Sequence, residues 1–271
     1  MSVFSRRHVN LDLSMEPKLT RRRELRYYGF NACEAVARLR REDIIRVYIT
    51  DKTKREFADL VKWCAAQRKA YHLVQEAELE KISHSVHHEG VCLLALEPAI
   101  WDAETLYGQV KRDIEANPAC AILYLDEVRN PHNIGAIART AANFGCRYLV
   151  GKAGVVPELT PAAIRTAEGG FESCQLTYIT EEKKFFADFK KLGFDLVGLS
   201  SRKGDSLYET TMPEKSVFVL GNEMSGLSPE VAKLCTEYMR IPGTGAVESL
   251  NVSVANAVIL GEYWRQWKKK R

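Results

Sequence analysis

Short apolar runs that break into turns of Gly, Asn and Ser recur through the C-terminal half of this 271-residue chain, and they restrict its fold more than any other feature. Three stand out. Ala121-Ile-Leu-Tyr-Leu125 leads into Asn130-Pro-His-Asn-Ile-Gly-Ala-Ile-Ala-Arg-Thr140. Val217-Phe-Val-Leu220 leads into Gly221-Asn-Glu-Met-Ser-Gly-Leu227. Ile241 opens Pro242-Gly-Thr-Gly-Ala-Val-Glu-Ser-Leu-Asn-Val-Ser-Val-Ala255. Continuous apolar runs of this length suit strands of a parallel sheet buried on both faces. In open sheets of that kind, sites form beyond the carboxyl ends of the strands. Three such turns drawn together would make one pocket.

Strand and helix alternate through 119–271. Strands are expected at 121–126, 147–151, 194–199, 216–220 and 238–241, and helices at 134–144, 160–167, 182–192, 229–235 and 252–266. This predicts an α/β fold, a mostly parallel sheet flanked by helices. Residues 21–98 read as a smaller αβα unit. There, Tyr28 and Gly29 open a helix reaching Leu39, strands lie at 44–50, 70–74 and 91–96, and a helix at 54–69 stripes Phe57, Leu60, Val61 and Cys64 along one side. A short helix through Leu79 precedes the last strand. Residues 99–118 form a connector with one helix, N-capped by Asp102, and residues 1–20 a flexible polar arm.

Hydrophobic residues make up 46% of the chain and charged ones 27%, ordinary for a soluble globular protein. No apolar run approaches the roughly 18 residues of a membrane span, and the N-terminus lacks a signal-peptide core, so a cytoplasmic location is expected. The 7 cysteines are scattered without CxxC spacing and read as reduced, mostly buried thiols. His84, His87, His88 and Glu89 complete no recognised ligand spacing and read as a polar loop, so no metal is expected. The net charge of +4 is clustered: 5 basic residues and 1 acid lie between Lys18 and Arg26, and Arg265, Lys268, Lys269, Lys270 and Arg271 close the chain. Such runs are either solvated ends or phosphate contacts to nucleic acid.

Asn133 is a natural N-cap at its strand-to-helix turn, and Gly135 allows close backbone approach. Arg139 falls within an otherwise apolar helix, where a buried guanidinium needs a paired anion. A salt bridge to Glu223 and recognition of a phosphate or oxyanion both answer that need. Glu223 is a carboxylate presented at a strand end. Ser249 and Asn251 are both good caps for the last helix, and the loop holding Gly243 and Gly245 is too polar and glycine-rich for a packed connection. Gly243-Thr-Gly245 does not complete GxGxxG, and neither a GxxxxGK[ST] loop nor a GxSxG elbow is present, which argues against dinucleotide binding, NTP hydrolysis and α/β-hydrolase chemistry.

The three stretches resemble the three signature motifs of the SpoU/TrmH family of RNA 2′-O-ribose methyltransferases, in residue identity, order and spacing. Asp126 through Arg139 resembles the first motif, Leu220 through Leu227 the second and Ile241 through Ala255 the third. Residues 24–97 are similar to the small RNA-binding domain that precedes the catalytic domain in many members, and the whole chain is similar to a bacterial subgroup of uncharacterised tRNA/rRNA methyltransferases. His88-Glu89-Gly90 stands where the family more often has His-Gln-Gly, and Gly243-Thr244 replaces a frequent Met-containing turn; neither removes a motif side chain.

The resemblance implies a trefoil-knotted fold, a homodimer, S-adenosylmethionine as cofactor and tRNA or rRNA as partner. It implies a catalytic group of Asn133, Arg139, Glu223, Ser249 and Asn251. The cofactor would be held by backbone groups of Gly221, Ile241 and Leu250, with Leu199, Ser200 and Leu220 lining its adenine side. The family's proposed base is the arginine of the first motif, here Arg139. A guanidinium, with a pKa above roughly 12, serves more readily to orient phosphate and stabilise a developing alkoxide. The apolar Val254, Val258, Tyr263 and Trp264 on the last helix suit either a dimer contact or packing on the helix's own sheet. The alternative is a non-catalytic RNA-binding or ribosome-assembly protein that kept the fold.

Overall fold

The computed structural model describes residues 22–268, whose strands form two sheets. The arm at 1–20, Lys18 and Arg21 of the first basic run, and the terminal Lys269, Lys270 and Arg271 lie outside the described residues.

The smaller sheet holds β1 (Glu24–Tyr28), β2 (Ile44–Ile49), β3 (Ala70–Leu73) and β4 (Val91–Leu96) in the order β1-β4-β2-β3. β4 runs antiparallel to both neighbours, and β3 lies parallel to β2 at the edge. Successive strand residues face opposite ways, and the core divides accordingly. Tyr27, Val47 and Leu93 pack under α1 (Phe30–Leu39) and α2 (Ala58–Ala66). Tyr28, Tyr48 and Cys92 pack under α3 (Glu76–Ser83) on the other face. The expected αβα layering therefore holds, with two corrections. Tyr28 closes a strand instead of opening a helix, and Gly29, at φ 89, is the N-cap of α1. Turns occupy 51–57, so α2 begins at Ala58, not at 54.

The larger sheet holds β5 (Cys120–Leu125), β6 (Tyr148–Lys152), β7 (Gln175–Ile179), β8 (Asp195–Leu199), β9 (Asp205–Ser206), β10 (Lys215–Leu220) and β11 (Glu237–Arg240). Their order is β7-β6-β5-β10-β8-β11-β9, and every pairing is parallel. β7 and β9 were not expected; Gln175 and Thr177 interrupt the apolar signal of β7, though Thr177 is fully buried. The sheet is sandwiched. Leu123, Leu149, Val197 and Phe218 pack under α5 (Pro131–Asn143), α6 (Pro161–Ala167) and α9 (Val252–Tyr263). Ile122, Val150, Val217 and Val219 pack under α4 (Ala103–Ala116), α7 (Glu182–Lys191) and α8 (Pro229–Ala232). Because all strands run the same way, the turns after β5, β8, β10 and β11 emerge on one edge.

One apolar core runs from the smaller sheet into the α5–α6–α9 layer. Charge pairs seal the junction. Arg23 reaches both Glu97 (2.7 Å) and Glu158 (2.6 Å), and Arg40 pairs with Glu172. Arg22 pairs with Asp43 at 2.5 Å. Arg22 and Arg23, read from the sequence as a solvated end or phosphate contact, are thus engaged within the fold. All 7 cysteines but Cys235 are buried. No helix among the described residues is long and apolar enough to cross a membrane.

Candidate active site

The first turn follows β5. Asp126 is buried at its end; its N–H donates to the Leu220 carbonyl (2.8 Å) and its Oδ2 accepts from the Ser228 N–H (2.6 Å). Burial raises the pKa of this carboxyl, partly offset by the Ser228 N–H. Asp126 therefore ties the first turn to the second. The N-cap of α5 is Asn130, not Asn133: its Oδ1 accepts from the His132 N–H at 2.9 Å, and Pro131 takes the first helical position, where a missing N–H costs nothing. The Asn133 side chain, relieved of capping, is free for other contacts.

The second turn follows β10. Asn222 and Gly226 exchange backbone hydrogen bonds, both 2.9 Å, and the Asn222 Oδ1 accepts from the N–H groups of Met224 (2.9 Å) and Ser225 (3.2 Å). Gly221 is required by this closure, since a Cβ there would lie 2.5 Å from the Gly226 carbonyl carbon. The tight loop presents Glu223 outward.

The third turn runs from β11 to α9. Asn251 is the N-cap; its Oδ1 accepts from the Ser253 N–H (2.9 Å) and Oγ–H (2.6 Å), while its Nδ2 donates to Asn133 Oδ1 at 3.1 Å. Asn133 Nδ2 in turn donates to Glu223 Oε1. A relay of Asn251 to Asn133 to Glu223 thus joins the three turns, one side chain from each.

Arg139 and Ser249 stand outside this relay. Six residues of helix carry Arg139 about 9 Å along α5 from Asn133. It is not a buried arginine: its side chain is 57% exposed and pairs with Glu168 at 2.9 Å, not with Glu223. The apolar stripe of α5 is Ile134, Ile137, Ala138 and Ala141, and Arg139 falls just off it. Ser249 is exposed and caps nothing, because Asn251 holds that position. Glu168, at the C-terminal end of α6, was not singled out from the sequence; a lone Glu before two glycines reads as a turn.

The expected cofactor residues line the same edge. Leu199, Ser200, Gly221 and Ile241 are half-buried, and Leu250 is exposed. Leu220 is buried beneath them, its carbonyl taken by Asp126. The Ser200 hydroxyl accepts from the N–H groups of Arg202 (3.2 Å) and Lys203 (3.3 Å), so it shapes its own turn.

Sequence comparison agrees with this architecture. Residues 120–261 match the SpoU rRNA Methylase family, and residues 27–100 match the RNA 2′-O ribose methyltransferase substrate-binding family. The chain is 40% identical to an uncharacterised tRNA/rRNA methyltransferase, YfiF, of Escherichia coli O157:H7, over 94% of this chain and 72% of the other. It is 30% identical to the 23S rRNA (guanosine-2′-O-)-methyltransferase RlmB of Bordetella pertussis, over 88% of this chain and 96% of the other. Its fold is similar to that of the SpoU methyltransferase AviRb of Streptomyces viridochromogenes, solved in complex with AdoMet (TM-score 0.68, 21% identity, 90% of each chain). The architecture and the strand-end turns define a SpoU-type α/β methyltransferase fold. The chain belongs to the SpoU rRNA methylase family.

The groups on this edge suit a methyl donor of the AdoMet type. Between Pro242 and Leu250 no backbone group bonds to another backbone group among the described residues, and the Ala246 N–H donates to the Thr244 hydroxyl at 3.4 Å. A Cβ added at Gly226, Gly243 or Gly245 would meet nothing within 4 Å, so these loops face open space. Leu199 and Ile241 are half-buried apolar side chains at the same edge.

Proposed function

We propose that this protein transfers a methyl group from S-adenosylmethionine to a ribose 2′-hydroxyl of tRNA or rRNA. The observation that carries this reading is the Asn251–Asn133–Glu223 relay, which joins three strand-end turns that are distant in sequence. The cofactor would supply an electrophilic methyl on a sulfonium. Backbone groups of Gly221, Ile241 and Leu250 would hold it, with Leu199, Ser200 and Leu220 beside its adenine. In-line transfer gains most of its acceleration from positioning. Asn133, Glu223 and Asn251, locked to one another, are fixed polar groups against which a ribose can be set.

Arg139 stabilises the developing alkoxide, whose proton passes to water, and orients the neighbouring phosphate, and Ser249 assists it. Within one chain Arg139 lies away from the relay, which favours a homodimer in which two copies complete one site. Support for a dimer comes from exposed apolar side chains on the site loops, on α9 and just after it: Met224, Val247, Leu250, Val254 and Trp264. Tyr263 is not among them, being buried against Phe218 with its hydroxyl on the Glu214 carbonyl (2.6 Å). The trefoil threading is part of the same proposal; it is supported by β10 lying between β5 and β8 while α9 returns to pack with α5 in one layer. The division of labour follows: an RNA-binding unit at 21–98, a connector at 99–118 and a methyltransferase unit at 119–271, working in the cytoplasm.

The test is transfer of tritium from labelled S-adenosylmethionine to tRNA and rRNA from a strain lacking the protein. Label in RNA is expected. Absence of both cofactor binding and transfer would contradict the proposal and favour a non-catalytic RNA-binding role. Arg139→Ala should lose transfer by about a hundredfold or more with cofactor affinity intact; retained activity would remove Arg139 from the mechanism.

A further inference from the structure

Arg139 is held by a carboxylate whose other partners lie in the N-terminal unit. Glu168 Oε2 forms an ion pair with Arg139 Nη2 at 2.9 Å and accepts a hydrogen bond from Asn31 Nδ2 at 3.0 Å. One oxygen atom therefore joins the first turn of α1, in the substrate-binding unit, to the arginine on α5. The other oxygen, Oε1, lies 3.4 Å from Arg165 Nη1. Arg165 is itself fastened across the junction: its Nε donates to the His87 carbonyl at 3.2 Å and its Nη2 pairs with Glu89. Glu89 Oε2 accepts from the Phe30 N–H at 2.7 Å, which returns the chain of contacts to the start of α1.

The backbone fixes where the carboxylate points. Glu168 is the C-cap of α6 in the left-handed region, at φ 46, a conformation non-glycine residues seldom adopt. Its side chain is 22% exposed, against 57% for Arg139. Glu168 is thus the more enclosed of the two partners. Two guanidinium groups and two carboxylates balance in this cluster, so the pairing does not strand a charge.

We propose that Glu168 is the positioning residue for Arg139, and that Asn31 couples its setting to the docking of the substrate-binding unit. This rests on the role given to Arg139 above. Any ligand that shifts the N-terminal turn of α1 would loosen Glu168 Oε2 and with it the guanidinium.

The first measurement needs no substrate. Side-chain ¹⁵Nε relaxation of Arg139 should report an ordered guanidinium in the wild type, a mobile one in Glu168→Gln and an intermediate one in Asn31→Ala. Asn31 is exposed, so its variant will fold. Equal mobility in all three overturns the proposal. The second measurement is the initial rate of methyl transfer to total RNA. Glu168→Gln should lower kcat about tenfold with KM for S-adenosylmethionine unchanged, and adding Asn31→Ala to it should change little further. A change confined to KM for RNA would assign Glu168 to holding the two units together and overturn the positioning role. A wild type that transfers no label would defeat the functional reading alone, since the relaxation data still decide whether Glu168 orders Arg139.

Discussion

Asn133 shows how a single side chain changes role when its neighbour takes over a local duty. Its residue type and place at a helix start read as a cap, but Pro131 fits the first helical position and Asn130 then becomes the cap. That leaves Asn133 with both amide atoms engaged in site contacts, donating to Glu223 and accepting from Asn251. Asn133→Asp should be informative, because it sets two carboxylates at hydrogen-bond distance. Two such groups cannot both ionise easily, so one pKa rises. The relay is broken at alkaline pH, and one proton shared between the carboxylates restores a donor as the pH falls. Relative to wild type, transfer by Asn133→Asp should recover with decreasing pH. A pH–rate profile parallel to that of the wild type would remove the relay from catalysis. The motif residues were legible in the sequence because the turns that carry them have distinctive Gly and Asn spacing. Glu168 was not, since its partners come from Asn31 and Arg139, and no local pattern encodes a meeting of that range.

Elements were most legible where an apolar run is uninterrupted, as in β5, β8 and β10. β1 was missed because Arg22, Arg23, Glu24 and Arg26 look like a solvated basic run; pairing with β4 and with the acids of the junction makes it a strand. The same acids predict a pH dependence. Burial would raise the pKa of Asp43 and Glu97, but Arg22 and Arg40 around Asp43, and Arg23 on Glu97, more than offset it and hold both below the usual range. A folded-state pKa below the unfolded one gives stability that is complete above the ordinary carboxylate range, about 4, and is lost as pH falls through the lowered values. The contribution of Asp43 and Glu97 to urea midpoints should therefore be constant from neutral pH down to about pH 5.5 and drop below about pH 4, and Glu97→Gln should shrink that drop. An equal drop in the variant would exclude Glu97 as its source. Close helix contact adds a second expectation. A Cβ at Gly170 would sit 2.7 Å from both the Ala138 carbonyl carbon and the Arg139 nitrogen. Gly170→Ala should cost about 1–3 kcal/mol of stability, measured by urea unfolding, with Arg139 displaced; an unchanged midpoint would mean that the turn can retreat freely from α5.

For the whole molecule, the order of the seven-stranded sheet brings together turns that the sequence only lists one after another. That β10 enters between β5 and β8, and that α9 returns to the layer of α5, are consequences of long-range packing. The proposed second copy would be a further such property. Val254 is 49% exposed on α9. If two copies meet through it, sedimentation at micromolar concentration should give twice the chain mass, and Val254→Asp should shift the protein toward monomer with loss of transfer. A wild type that stays monomeric would leave Arg139 with no second relay to complete. The central claim, methylation at the ribose, is tested most directly by alkaline hydrolysis of RNA labelled with tritiated methyl groups. Alkali cleaves RNA through its 2′-hydroxyl, so a methylated ribose protects the adjoining bond. Label recovered in alkali-resistant dinucleotides is the predicted result, and label recovered only in mononucleotides, as from a methylated base, would contradict it.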